Sequence, residues 1–228
     1  FSICITTGVK QHFITDQNKD KMRVIYDGVH DIDNIAFCPK KEKYFLFVGR
    51  IDEAKGFKNV IIAFSRFIKK HNGYKLLVAG APLSLEYFEE IKSYIQKNGL
   101  NNYVVFLGIR DDVDNLMQRA YAFIMSSRFE GFGLVTAEAM FNGCLVIGHN
   151  TGGTKEQFDN GLQMIGDEIG LRYNNVDELY ERMIDVAENG IESYFPMIMR
   201  SQKAASSLYS IETYVDKVLE YYKTILNN

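Results

Sequence analysis

Residues 122–140 read Ala-Phe-Ile-Met-Ser-Ser-Arg-Phe-Glu-Gly-Phe-Gly-Leu-Val-Thr-Ala-Glu-Ala-Met. Ala122 to Met125 are uniformly apolar, as a strand covered on both faces should be. Ser126 to Arg128 then turn polar, Gly131 and Gly133 break the chain, and a helix follows Gly133. A strand that passes through a glycine-bearing loop into a helix is one β-α unit of a parallel sheet.

The same rhythm extends outward in both directions. Upstream, Tyr44 to Val48 is an apolar strand ending at Gly49, and Val60, Ile61, Phe64, Phe67 and Ile68 follow at helical spacing, with Lys58, Arg66, Lys69 and Lys70 opposite. Lys75 to Ala79 is a strand stopped by Gly80. A helix from Ser84, a natural N-cap, to Asn98 comes next, then a strand at Tyr103 to Leu107 and a short helix after Asp111-Asp112. Downstream, Cys144 to Ile147 is another strand. Thr154 and Gln157 have capping-box spacing at the mouth of a short helix, and Asn175 and Glu178 open a longer one. Apolar residues at helical intervals from Phe195 to Leu226 predict two closing helices interrupted near Ser206 to Ser210. The fold class is α/β: a Rossmann-like, doubly wound parallel sheet of about five β-α units. The first 38 residues break this rhythm, with strands expected at Ile3 to Thr7 and Met22 to Tyr26. The division expected is therefore 1–38, 39–205 and a last helix at 206–228.

Composition narrows the function. The 228 residues carry 26 Lys+Arg against 29 Asp+Glu, which offers no concentrated basic face for a nucleic acid. No apolar run approaches the roughly 20 residues of a membrane-spanning helix. Cys4, Cys38 and Cys144 have neither disulfide-framework nor zinc-site spacing, and they read as reduced thiols of a cytoplasmic protein. His12, His30, His71 and His149 are dispersed and suggest no metal site; only His149 falls near the motifs below. The chain opens at Phe1 on an apolar run, as if cut from something longer.

Ligands of open parallel sheets bind at the carboxyl ends of the strands, and the polar motifs fall there. Gly49-Arg50 and Lys55-Gly56 place two cations in the loop after the first of these strands, a setting for a polyanion; either could equally be a solvated surface charge. Glu130 and Glu138 stand eight residues apart across Gly131-Phe132-Gly133. Carboxylates beside an anion site need other work, and accepting hydrogen bonds from sugar hydroxyls is one such role. Glu138 alone could be a solubilising helix residue. Gly131-Phe132-Gly133 with Thr136 narrowly misses the dinucleotide fingerprint, and Lys55-Gly56 reverses the end of a P-loop.

Together these residues resemble the group 1 retaining glycosyltransferases of the GT-B fold, in the half that binds the nucleotide-activated sugar. The resemblance rests on Gly49-Arg50, Lys55-Gly56, Glu130-Gly-Phe-Gly-Leu-Val-x-x-Glu138-Ala-Met, Gly143-x-x-Val146-Ile147 and Gly152-Gly153-x-x-Glu156, flanked by Val24 to Val29 and Val105 to Gly108. It implies that Arg50 and Lys55, beside Gly49, contact the donor diphosphate. It places Glu130 on hydroxyls of the transferred sugar, near amides of Gly131, Phe132 and Gly133. Leu134 and Val135 would offer helix-start amides to phosphate, Glu138 would hold the ribose, and Gly108, Ile109 and Arg110 would border the base. Asp27 stands where the family usually has Asn, and Leu145 where it has Pro; both read as structural positions. The acceptor-binding half would be represented only by its trailing strands, which should be disordered, re-packed on the donor domain or paired with another copy. Tyr221 and Tyr222 would pack toward that half.

The implied activity is metal-independent transfer of a hexosyl group, with retention, from a nucleoside diphosphate sugar to a saccharide or lipid-linked acceptor in cell-surface polysaccharide or glycoconjugate synthesis. No cofactor is implied beyond the donor substrate, and membrane association could come only peripherally, through the missing half. The alternative is a nucleotide-sugar-binding module without transfer activity. A glycoside hydrolase would use two carboxyls, one with a raised pKa; the sequence gives no sign of one, and the cations would have no role.

Overall fold

A computed structural model describes residues 2–29 and 36–227; Phe1 and His30 lie outside the described residues. Six parallel strands form the central sheet: β3 (Tyr44–Val48), β4 (Lys75–Ala79), β5 (Val104–Gly108), β6 (Ala122–Met125), β7 (Val146–His149) and β8 (Leu171–Tyr173). Their spatial order is β5-β4-β3-β6-β7-β8, the Rossmann order. The chain first builds outward from β3 to one edge, then returns to start the other half at β6. The crevice at the carboxyl ends of β3 and β6 is therefore the topological switch point, where such sheets bind ligands.

The connecting helices are α2 (Phe57–Phe67), α3 (Leu85–Lys97), α4 (Val113–Arg119), α5 (Leu134–Phe141), α6 (Gly152–Ile165) and α7 (Val176–Asn189), followed by α8 (Phe195–Tyr209) and α9 (Ile211–Leu226). Alternation along β3 sorts the core into two layers. Phe45 and Phe47 face α2, α3 and α7 with Phe64, Ile91 and Met183. Tyr44 and Leu46 face α4, α5, α6 and α8 with Met117, Met140, Phe158 and Ala204. Both faces of the sheet are thus covered, which explains why its central strands are continuous apolar runs. Full burial of each large side chain contributes about 1.5–3 kcal/mol.

The sheet has a sixth strand, β8, an edge strand whose Arg172 pairs with Asp159 and Glu168 and so breaks the apolar run. Thr154 and Gln157 do not cap the helix: α6 begins three residues earlier, with Thr151 as N-cap, and it runs 14 residues rather than being short. Both side chains are buried inside it. Asn175 does cap α7, accepting from the Glu178 amide at 2.9 Å, and Ser84 caps α3. The last helix starts at Ile211, not 206, because Ser210 accepts from the Thr213 amide.

The N-terminal segment is neither two full strands nor a free end. β1 (Ser2–Cys4) and β2 (Met22–Val24) form a short parallel pair, joined through a helix, α1 (Thr7–Phe13), where the sequence predicts none. No residue of α1 is buried, so the segment lacks the one-sided apolar periodicity by which amphipathic helices are read. The pair re-packs on the rest of the chain. The Tyr221 hydroxyl donates to the carbonyls of Lys21 (2.6 Å) and Ser2 (3.4 Å), and a Cβ on Gly28 would meet Ile211 Cα at 2.9 Å. Tyr222, by contrast, is exposed.

Candidate functional site

The site is built from strand ends. Gly49, Gly80 and Gly108 continue β3, β4 and β5 past their last apolar residues, with Gly49 N donating to Ala79 O and Gly80 N to Gly108 O. Gly80 has φ +143°, and any Cβ there would overlap the Gly49 carbonyl. The loop after β3 folds back sharply. Asp52 accepts from the Lys55 amide at 2.7 Å, Ser126 Oγ donates to Lys55 O at 2.7 Å, and Arg128 N donates to Ala54 O at 2.9 Å. A Cβ on Gly56, which has φ +67°, would overlap the Ser126 carbonyl. These bonds pin the β3 loop to the β6 loop.

The consequence is an ion pair between residues 75 apart in sequence: Lys55 Nζ lies 2.8 Å from Glu130 Oε2. Their side chains are only 23% and 18% exposed. Arg50 is more open, at 62%, and lies 3.3 Å from Asp52. Gly133, at φ +84°, starts α5 without a side-chain cap, so the first-turn amides of Leu134 and Val135 have no intrahelical acceptor and are available to an anion.

A cleft of about 560 Å³ brings these groups together. Gly49, Arg50, Lys55, Glu130, Gly131, Phe132, Gly133, Leu134, Val135 and Glu138 all line it. Gly108, Ile109 and Arg110 do not. They sit at the end of β5, where Ile109 is 81% exposed and Arg110 makes a bidentate pair with Asp112 at 2.8 and 2.7 Å. Phe132 takes part only through its backbone, because its ring is buried against Tyr26 and Tyr209.

Ile5, Asp27 and Val48 also line the cleft, although the sequence marked none of them as site residues. The sequence suggests a structural role for Asp27, yet it lines the cleft with Arg50 and Lys55, and burial pushes its carboxyl above the usual range. The Glu138 carboxyl is likewise raised, by burial first and by Asp114 second, a shift the sequence did not signal. His149 is a structural residue. Its ring nitrogens lie 3.1 Å from Ser127 O and 3.3 Å from Asn174 O, tying the β6 loop to the end of β8. Cys4 and Cys144 are buried, and all three cysteines are free. Among the described residues no group of three or more His, Cys, Asp or Glu could hold a metal ion, and no helix is long and apolar enough to cross a membrane.

Comparison with known proteins places this arrangement. The chain is 32% identical over 154 residues to an uncharacterised glycosyltransferase of Methanocaldococcus jannaschii, covering 60% of this chain and 38% of that protein. It is 31% identical over 147 residues to the poly(glycerol-phosphate) alpha-glucosyltransferase of Bacillus subtilis, covering 59% and 21%. The chain thus spans less than half the length of these relatives. In structure it resembles Anabaena HepE in complex with UDP, with a TM-score of 0.83 at 22% identity over 97% of this chain and 63% of that one. It also resembles the C-terminal domain of a group 1 glycosyl transferase family protein from Francisella tularensis, with a TM-score of 0.65 at 21% identity over 75% and 88%. The sequence profile of the glycosyl transferases group 1 matches residues 30–203. With the E-x7-E spacing lodged at the switch point of a Rossmann-like sheet, the chain belongs to the group 1 glycosyltransferase family.

Proposed function

We propose that this chain binds a nucleoside diphosphate sugar in the cleft between the ends of β3 and β6 and transfers its hexosyl group, with retention and without a metal, to a saccharide or lipid-linked acceptor in cell-surface polysaccharide or glycoconjugate synthesis in the cytoplasm. The reading rests on one observation. Two cations, the capless start of α5 and two carboxylates, contributed by separate β-α units, meet in a single cleft. The relative solved with UDP and with UDP-glucose lends it support. The division into an acceptor-side segment at 1–38, a donor domain at 39–205 and a C-terminal piece at 206–228 belongs to the same reading, the last helix of that piece being Ile211–Leu226.

Breaking the anomeric C–O bond leaves charge on the departing diphosphate. Arg50 and Lys55 stabilise that charge; at an effective dielectric near 20, one cation at about 4 Å contributes roughly 4 kcal/mol. The Leu134 and Val135 amides add partial positive charge. Glu130 accepts from hydroxyls of the transferred sugar, Glu138 accepts from the ribose, and Gly108 to Arg110 border the base.

The test is a thermal-shift panel of UDP, GDP, ADP and their sugars, followed by transfer assays. A ligand at 100 times its dissociation constant stabilises by about 2.7 kcal/mol, and Arg50→Ala or Lys55→Ala should lower turnover on the order of 100-fold. No shift with any nucleotide would overturn the assignment. A shift without transfer would favour a binding module.

A further inference from the structure

The Gly152-Gly153-x-x-Glu156 motif has no part in the chemistry above, yet Glu156 makes a set of contacts that nothing in its local sequence explains. Its Oε1 accepts from the Thr7 amide at 2.7 Å and from the Tyr26 hydroxyl at 2.9 Å, and its Oε2 accepts from the Gly8 amide at 3.3 Å. Thr7 and Gly8 open α1, where amides lack intrahelical acceptors; the next amide, Val9, is taken by Thr6 Oγ1 at 3.2 Å. α1 buries none of its residues fully, only Val9 and Lys10 being half-buried, so apolar packing contributes little to holding it in place. A single carboxylate on α6 therefore caps α1 and ties it down.

The same helix carries the donor-side loop on its other flank. Gly153 N donates to Glu130 O at 2.9 Å, and Gln157 Nε2 donates to the carbonyls of Phe132 at 2.6 Å and Gly133 at 3.2 Å. Gly152 and Gly153 let the backbones touch: a Cβ on Gly152 would lie 2.6 Å from Glu130 O, and one on Gly153 would overlap Phe132 O. A second path closes the circuit, because the Tyr26 ring stacks on the Phe132 ring with centroids 6.0 Å apart. Burial raises the Tyr26 phenol above its usual range, an effect to which Glu156 adds. Loop 130–133 is thereby held from two sides, directly by Gly153 and Gln157 of α6 and, through the Tyr26 ring, by the hydroxyl that Glu156 accepts.

We propose that Glu156 is a positioning residue that clasps the segment carrying Thr7, Gly8 and Tyr26 to α6 and thereby fixes the loop Glu130–Gly133 in its donor-binding geometry. In its functional part this rests on the reading above. The clasp also sets the spacing between α1 and α6, which form opposite walls of a cavity of about 740 Å³ that Glu130 and Gly131 join to the cleft. A displacement of α1 is thus transmitted to the residues proposed to meet the sugar.

Amide exchange followed residue by residue by NMR tests the clasp without any ligand. In Glu156→Ala, exchange should rise at least about tenfold both at Thr7 and Gly8 and at Gly153 and Thr136, whose acceptors are the Glu130 and Gly133 carbonyls. Glu156→Gln, which keeps an acceptor oxygen, should recover most of the protection, and β3 amides serve as the unperturbed control. If Glu156→Ala fails to fold, Tyr26→Phe removes one tie alone and should loosen Gly153 and Thr136 to a smaller degree. Faster exchange confined to Thr7 and Gly8 overturns the proposal.

The functional arm measures the ratio of the Kd for UDP to that for UDP-glucose, with GDP/GDP-mannose and ADP/ADP-glucose in parallel. The ratio should fall at least about threefold in Glu156→Ala and recover in Glu156→Gln, whereas loss of stability alone would leave it unchanged in the folded fraction. An unchanged ratio refutes the functional part. Wild-type protein that binds none of these ligands refutes the proposed function instead, and the exchange data still decide the clasp.

Discussion

In the free protein Lys55 is already committed to Glu130 at 2.8 Å, so a diphosphate must compete for it. Replacing Glu130 by Gln should therefore tighten UDP binding, the reverse of what is expected when a binding-site residue is removed. The size follows from the pair itself. Glu130→Gln keeps an acceptor for the Lys55 ammonium but removes the opposite charge; exposed ion pairs contribute about 0.2–1 kcal/mol, and this more sheltered pair stands at or above the upper end of that range. With the two side chains only 23% and 18% exposed, solvent screens the pair partly, and a central value of about 1 kcal/mol gives about fivefold tighter UDP. UDP-glucose should not share the gain, because the same substitution weakens the contact to its sugar. The assay is isothermal titration calorimetry of wild type, Glu130→Gln, Lys55→Ala and the double variant. In the Lys55→Ala background the Glu130→Gln gain should shrink toward zero, which isolates the pairwise contribution. UDP affinity that is unchanged or weaker in Glu130→Gln would refute the competition.

Three further outcomes are expected. Gly153→Ala puts a methyl closer than 3.0 Å to the Phe132 carbonyl; overpacking of about 1–3 kcal/mol should lower Tm by roughly 2–12 °C at this chain length, and an unchanged Tm would show that the contact is not this tight. Because burial raises the Glu138 carboxyl, the unfolded chain gives up its proton first as pH rises, so folding stability falls from the ordinary carboxylate range up through the raised pKa and stays lower at neutral pH. Glu138→Gln should then be more stable than wild type at pH 7 and about equal near pH 3 in urea titrations, while binding nucleotide more weakly; a gain confined to low pH would contradict the sign. Tyr221→Phe, which strands the Lys21 and Ser2 carbonyls, should cost about 0.5–1.5 kcal/mol and speed amide exchange in β1 and β2 ahead of β3.

How far the sequence could be read follows from where the physical signal is local. The strands β3, β4, β6 and β7 were legible because a strand covered on both faces must be apolar throughout, and Tyr44 to Val48 or Ala122 to Met125 have no other reading. Caps at Ser84 and Asn175 were legible because each bond spans three residues. β8 and α1 were not: Arg172 interrupts the one, and the other buries nothing, being held instead by Glu156 from 148 residues away. The capping-box spacing at Thr154 and Gln157 misled for a related reason, since Gly152 and Gly153 let α6 start early against the backbone of the β6 loop.

By itself, the sequence determined the α/β class, the alternation that builds the sheet, and the residue types gathered at strand ends: two cations, two glutamates and the glycines between them. Only the tertiary structure decided how those residues meet. Placing β6 beside β3 carries Lys55 to Glu130 and turns the Phe132 side chain into core while leaving its backbone at the cleft, and the re-packed N-terminal segment brings Asp27 to line the same cleft. Charge pairing and burial depend on distance in space, and the strand order, which no local spacing encodes, sets that distance.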